Sequence, residues 1–117
     1  TGDSNTCIGY KAGEDLTTGY QNVFIGRDAG ANCTTNGSNI AIGMNAFDAA
    51  NGSENNNIAI GYAALGAETS GADYCVAIGH NALTSQNANV KTPLLVDSRV
   101  MRLRTVSETP YLAMVLV

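Results

Sequence analysis

The stretch Asn39-Ile40-Ala41-Ile42-Gly43-Met44-Asn45-Ala46 decides the fold of this chain. Its alternating β-branched residues favour a strand, and the glycine ends that strand where the backbone must turn. The Ile-Gly pair occurs five times, and successive glycines are 17, 17, 18 and 18 residues apart. These glycines are Gly9, Gly26, Gly43, Gly61 and Gly79. An alanine follows each of them by three residues, so the chain is built from an internal repeat.

A repeat of this length is too short for a pair of helices, which needs more than about 30 residues. The apolar part of each unit is one short strand, and the remainder is rich in Gly, Asn, Thr and Ser, the residues of turns. The sequence therefore predicts an all-β fold, a parallel β-solenoid of about five coils with 17–18 residues each. Successive coils stack about 4.8 Å apart and place like residues above like.

The predicted stacking assigns a structural role to three sets of residues. We expect the isoleucines to form an apolar ladder, the glycines to mark the turn, and the asparagines to hydrogen-bond along the axis as amide ladders do. A role for the asparagines as turn residues that tolerate left-handed backbone angles stays open. The ladder residues are Ile8, Ile25, Ile42, Ile60 and Ile78, the five glycines above, and Asn22, Asn39 and Asn57.

One coil has too few apolar residues to cover itself, because they lie on a single edge. The alanines on the other side of each strand, such as Ala41 and Ala59, are expected to offer a small, flat surface to another chain. Symmetric homo-oligomers are the common way to cover such a face. We therefore expect a homotrimer, although the number three does not follow from the spacing alone.

The composition changes near Asn89. All 13 glycines lie between Gly2 and Gly79, whereas both prolines, Pro93 and Pro110, lie beyond Asn89. This divides the chain into a solenoid region, residues 1–88, and a β-rich segment, residues 89–117. The second segment reads as short strands over 94–96, 100–106 and 111–117, and is interpreted as a cap or a transition into a following domain, since a bare solenoid end needs covering.

The repeat at 39–46, with its relatives at 22–29, 57–64 and 76–82, resembles the head repeats of trimeric autotransporter adhesins. Related repeats occur in the tail and attachment fibres of phages and large DNA viruses. The resemblance covers about residues 5–86 and implies a parallel β-roll or β-helix with three chains side by side, displayed for attachment. The coils here are longer than the usual adhesin repeat, and the three cysteines, an odd number without a CxxC motif, favour free thiols. Both departures favour a viral fibre assembled in a reducing cytoplasm.

A second resemblance is to the left-handed β-helix acyltransferases, whose hexapeptide is similar to Ile-Gly-x-x-Ala-x. Those enzymes carry the hexapeptide on all three faces of the coil, and a histidine serves as general base. Here the motif occurs once per coil, and the position of His80, the only histidine, holds Tyr10, Arg27, Met44 and Tyr62 in the other coils. We therefore expect no catalytic residue and no enzymatic activity.

Composition excludes further classes of function. A net charge of -4 argues against a nucleic-acid binder, and the longest apolar run, residues 111–117, is far shorter than the roughly 20 residues of a membrane span. The aspartates fall at different positions in the repeat, so no calcium solenoid, and no metal or cofactor, is expected.

The sequence thus predicts a structural segment of a trimeric viral or phage fibre or spike that supports host attachment at the virion surface. The alternatives are a bacterial adhesin head that binds a host surface, on the bacterial cell surface, and an acyltransferase-like solenoid. The expected partner is the chain itself, and a host receptor or glycan is left open as a second one. Any such binding is expected in the turns at 34–38, 51–56 and 69–73, where side chains vary between coils.

Overall fold

The computed structural model describes residues 2–50, 54–67 and 73–84, and the backbone of residues 94–95. In these ranges the chain is all-β, with short parallel strands joined by turns and with no helix. The strands are β1 (Thr6–Ile8), β2 (Val23–Ile25), β3 (Ile40–Ile42), β4 (Ile58–Ile60), β5 (Val76–Ile78) and β6 (Leu94–Leu95). Each strand pairs in parallel with the next, in the order β1 to β6. The predicted parallel β-solenoid is confirmed.

The strands pair in the register that the repeat predicts. Ile42 of β3 pairs with Ile25 of β2 on one side and with Ile60 of β4 on the other. We define a coil as the run from one ladder position to the next: coil 1 is 5–21, coil 2 is 22–38, coil 3 is 39–56, coil 4 is 57–74, and coil 5 starts at residue 75. Isolated parallel bridges, Tyr20 with Gly37 and Gly37 with Asn55, join coils away from the strands.

The middle residue of each of the strands β2 to β5 points into the solenoid. Phe24, Ala41, Ala59 and Ala77 are 0% exposed, whereas the residues on either side of them are partly exposed. The expectation that the alanines face another chain is therefore wrong. A coil of 17–18 residues encloses a narrow space, and one small residue per strand fits there while two branched residues do not. The isoleucines and valines are placed on the outside.

The large side chain that fills the interior of a coil comes from one of two positions, the strand centre or a corner. We call this alternation the volume exchange. The corner position, four residues after the turn glycine, has a left-handed backbone in every coil, with φ of 61° at Gly30 and 56° at Phe47. In coil 2 the strand supplies Phe24, and a Cβ atom on Gly30 would lie 2.7 Å from its ring. In coil 3 the strand supplies only Ala41, and the corner supplies the buried Phe47.

Leu65 and Leu83 repeat the arrangement of coil 3 in coils 4 and 5, each with a left-handed backbone, φ 55° and 56°. A side chain with a Cβ costs roughly 1–2 kcal/mol in that conformation. Burial of a Phe or Leu side chain contributes about 1.5–3 kcal/mol, which offsets the cost. A large corner residue is thus tolerated because the alanine of its strand leaves the space empty.

Strand β6 lies beyond the predicted boundary at residue 88 and continues the sheet, with Val76 paired to Leu94 and Ala77 to Leu95. It falls in the predicted strand at 94–96. The predicted strands at 100–106 and 111–117, and the role of residues 89–117 as a cap or transition segment, lie outside the described residues apart from this pair.

The volume exchange predicts that coil 3 can be converted to the arrangement of coil 2. Phe47→Gly alone leaves a cavity and should cost about 3–5 kcal/mol, and Ala41→Phe alone overpacks the interior by roughly 1–3 kcal/mol. The double variant places Phe over Gly, as in coil 2, and should be more stable than either single variant. Urea unfolding of the three variants measures this coupling. Additive losses in the double variant would contradict the exchange.

Candidate functional site: a buried amide ladder and an exposed strand face

The asparagine before each strand forms a continuous amide ladder through the solenoid. Asn22 Oδ1 accepts hydrogen bonds from the backbone N–H and from Nδ2 of Asn39, at 2.9 and 3.2 Å. Asn39 Oδ1 accepts the same pair from Asn57, at 2.9 and 3.1 Å. Coil 1 joins through Asn5 Oδ1, which accepts from Asn22 N at 2.9 Å. The three central asparagines are at most 1% exposed, so these bonds form out of water.

The amides of Asn22 and Asn39 also bind the turn that closes their own coil. Asn22 Nδ2 donates to the carbonyl oxygen of Asn36 at 2.8 Å, and Asn39 Nδ2 donates to that of Glu54 at 3.0 Å. The left-handed residues nearby are the preceding ones, such as Gln21 and Ser38, with φ of 56° and 60°, and not the ladder asparagines. Of the two roles left open by the sequence, the structure therefore supports the amide ladder.

The turn glycines stack in backbone contact. Gly43 has φ of 132°, and a Cβ atom there would lie 2.6 Å from the carbonyl oxygen of Gly61. Gly26 has φ of 129°, and its Cβ would meet Gly43 at 2.8 Å. Only glycine satisfies both the dihedral angle and the close approach. At the Ile-Gly pairs, the backbones of neighbouring coils therefore approach too closely for any other residue.

The outer strand face is the second feature of the site, and we define it as the first and third residues of β1 to β5. Nine of the ten side chains are Ile or Val, and none is charged. The members are Thr6, Ile8, Val23, Ile25, Ile40, Ile42, Ile58, Ile60, Val76 and Ile78. Ile8 is 58% exposed and Ile78 37%, while the β2 to β4 members are partly buried by their own neighbours. The face is an uncharged, largely apolar stripe.

A column of larger side chains borders this face, one residue after each turn glycine. Its members are Tyr10, Arg27, Met44, Tyr62 and His80, all exposed. The rings of Tyr62 and His80 stack with centroids 4.9 Å apart and planes inclined by 19°. Arg27 Nε lies 3.0 Å from Asp28 Oδ2. His80 is thus an exposed surface residue that contacts a neighbouring tyrosine.

A polar groove on the turn side has a volume of about 330 Å³ and is lined by Glu14, Asp28, Asn45 and Asp48, among others. Asn45 Nδ2 donates to Asp48 Oδ2 at 2.8 Å. Burial raises the pKa of the Asp48 carboxyl above its ordinary value, and the hydrogen bond from Asn45 opposes this effect. Among the described residues, no group of three or more His, Cys, Asp or Glu side chains is arranged to hold a metal ion.

The three cysteines are free thiols, with Cys7 exposed and Cys33 and Cys75 buried. Burial raises the pKa of the Cys33 thiol far above its ordinary value, and the nearby Glu54 carboxylate adds to this. A thiol held in its neutral form is a poor nucleophile, so Cys33 acts as a small apolar residue of the interior.

The turn at 34–38 was expected to carry side chains that vary between coils and to bind any host receptor. In the structure it is partly buried. Asn36 and Gly37 are buried, and Asn36 Nδ2 donates to Glu54 Oε2 at 2.7 Å. The other two expected turns, 51–56 and 69–73, are described only at 54–56 and at residue 73. The sequence does not predict the buried Glu54; it occupies the same position in the repeat as Asn36, three residues before the ladder asparagine.

Within the part of the chain that the structure describes, no helix has the length and apolar character to cross a membrane. Comparisons of the chain with protein-family models, with curated proteins and with solved structures found no match.

The ladder predicts a large effect for one buried amide. Asn39→Ala removes the acceptor of two Asn57 donors and leaves Asn22 Oδ1 with fewer donors in a buried position, which should cost about 2–4 kcal/mol. Asn32→Ala is the matched control, because exposed Asn32 makes one hydrogen bond to the next coil, Nδ2 to Asp48 O at 2.8 Å, and should lose less than about 1 kcal/mol. Urea unfolding compares them, and equal losses would contradict the role of the ladder.

Proposed function

We propose that this chain is a non-enzymatic structural segment of a homotrimeric viral or phage fibre or spike that supports host attachment. The observation that carries the proposal is the outer strand face. An uncharged stripe of Ile and Val side chains that runs from β1 to β5 is typical of a surface that another protein covers.

A further copy of the same chain is the partner that fits this face best. Ile25, Ile42 and Ile60 recur at the spacing of the coils, so a parallel copy presents apolar residues at the same heights along the axis. Neither partner brings a charge into the contact, because the face contains none. Copies that turn this face towards a common axis bury it completely, and closed cyclic symmetry then limits the assembly. The number three comes from the resemblance to trimeric adhesin heads.

The cysteines favour a fibre assembled inside a cell over a secreted adhesin. All three cysteines are free thiols, which are uncommon in proteins that mature in an oxidising compartment. The virion surface is therefore the proposed location. A bacterial adhesin head shares the same architecture, and tight binding of the isolated trimer to host cells would favour that alternative.

One substitution on the outer strand face tests the assembly. Ile42 is only partly buried within its own chain, so Ile42→Asp is tolerable in a monomer and costly where three copies place a carboxylate in an apolar contact. We expect the native chain to scatter light as a trimer of the 12.1 kDa monomer and Ile42→Asp to lose the trimer.

Asn56→Asp is the matched control. It adds the same charge on another side of coil 3, at an exposed residue with φ of 61° that aspartate tolerates. This variant should remain trimeric. A native chain that is a folded monomer, or an Ile42→Asp chain that stays a trimer, would contradict the proposal.

A further inference from the structure

The large apolar and aromatic side chains that are exposed among the described residues gather on one side of the solenoid. Ile8 and Ile78 belong to the outer strand face. The other five border this face, with Tyr10, Met44 and Tyr62 on one side and Tyr20 and Tyr74 on the other. The acidic residues Glu14, Asp28 and Asp48 line the groove on the turn side instead. The apolar surface of the solenoid thus extends beyond the strand face onto both of its borders.

Both borders are corners of the coil. We define the glycine edge as the residue after each turn glycine, where the backbone turns with φ of 129° to 132° at the glycine. Its members are Tyr10, Arg27, Met44, Tyr62 and His80. We define the ladder edge as the two residues before each ladder position, of which the second has a left-handed backbone in every coil, as at Gln21 and Ser38. Its members are residues 3–4, 20–21, 37–38, 55–56 and 73–74.

The two edges carry opposite charge. The glycine edge contains the cation Arg27, whose side chain is 65% exposed, and the titratable His80, but no carboxylate. The ladder edge contains the carboxylates Asp3 and Asp73 and no cation. A second copy that packed face to face in the opposite direction would bring the ladder edge onto itself, with Asp3 towards Asp73. A parallel copy that meets the ladder edge with its glycine edge brings no like charges together. The Asn56→Asp variant fits the same contact, because its added carboxylate joins the edge that is already acidic.

The edges of one strand pass lie at nearly the same height along the solenoid. A pass such as residues 38–44 crosses the strand face at right angles to the axis, because the parallel strands stack along that axis. Rotation about a parallel axis leaves each height unchanged. In a cyclic assembly it brings one edge of a protomer against the opposite edge of the next protomer. Met44 of one copy therefore comes to the height of Ser38 of its neighbour.

We propose that the subunit contact runs from edge to edge, so that the glycine edge of one protomer docks on the ladder edge of a second, parallel copy of this chain. The inference rests on the proposed homotrimer and adds which residues meet. Arg27 then lies against the ring of Tyr20, a cation–π arrangement. His80 lies against Asp73 and Tyr74. Tyr, Met and Arg, which the two edges supply, are residue types that protein interfaces favour.

Paired cysteines test this contact in the full chain, in a background where the exposed Cys7 is changed to serine. The test variant carries Met44→Cys on the glycine edge and Ser38→Cys on the ladder edge. Within one chain these positions are separated by the width of the strand face, roughly 15–20 Å, whereas a disulfide requires Cα atoms within about 7 Å. Any disulfide between them therefore joins two protomers. We expect mild oxidation to convert most of the chain to a disulfide-linked trimer on a non-reducing gel.

The matched control combines Met44→Cys with Asn32→Cys, an exposed position on the turn side of coil 2. It has the same number of thiols, but the two positions lie on different sides of the solenoid, so linked product should fall by about tenfold or more. Met44→Cys alone should stay unlinked. A linked dimer of this single variant would mean that two glycine edges meet each other, which would overturn the proposal.

A second pair, Tyr62→Cys with Asn56→Cys, repeats the test one coil further along, so that the result does not depend on the side-chain geometry of a single contact. Light scattering on the reduced samples separates this inference from the proposed fibre. A trimer in which neither pair links, or in which the control links as well as the test pair, overturns the edge contact and leaves the trimer standing. A chain that is a folded monomer overturns both.

Discussion

The amide of each ladder asparagine makes hydrogen bonds to the asparagine or ladder residue of a neighbouring coil, and these bonds form only when the two coils are in register. Asn39 uses its oxygen for Asn57 and its nitrogen for Asn22 and Glu54, all in the interior. A shift of one residue would leave several buried polar atoms without partners, each costing about 1–3 kcal/mol. The ladder thus fixes the register of every strand. The chain needs such a device because its strands are only three residues long and pair weakly by themselves.

Fixed register has consequences for packing. When like residues lie above like, the turn glycines come into backbone contact. Each of coils 2 to 4 then buries one large apolar side chain. Phe24 supplies it from the strand and Phe47 from the corner. The branched residues beside the strand centre are placed outside because the interior has no volume for them. The apolar outer strand face is therefore a result of close stacking inside the coil, and the proposed assembly follows from the same constraint.

The sequence alone predicted the strands and their pairing, because a repeat of fixed length leaves little choice of register. It did not predict which strand face points inward. The alternation in a three-residue strand such as Ile40-Ala41-Ile42 allows either face to point inward. Hydrophobicity alone favours the isoleucines for the interior. The volume of the coil decides the question, and volume depends on residues distant in the repeat. The signal available was Phe24, the one large residue at a strand centre, which comes with Gly30 at the corner. The left-handed backbone of Phe47 was not predicted either, because a residue with a Cβ atom rarely adopts that conformation.

The ladder has a direction, so the two ends of the solenoid differ chemically. Each asparagine oxygen is used by the following coil, and the last, Asn57 Oδ1, accepts from Cys75 N at 2.8 Å. Cys75 stands at the ladder position of coil 5 but carries no amide oxygen to offer to a further coil. Strand pairing continues from β5 to β6 without it. Among the described residues, the series of asparagine acceptors therefore ends with Asn57 of coil 4. The direction of the ladder thus comes from the asparagine itself, which presents its oxygen to the following coil and its backbone and side-chain N–H groups to the preceding one, as Asn39 does between Asn57 and Asn22.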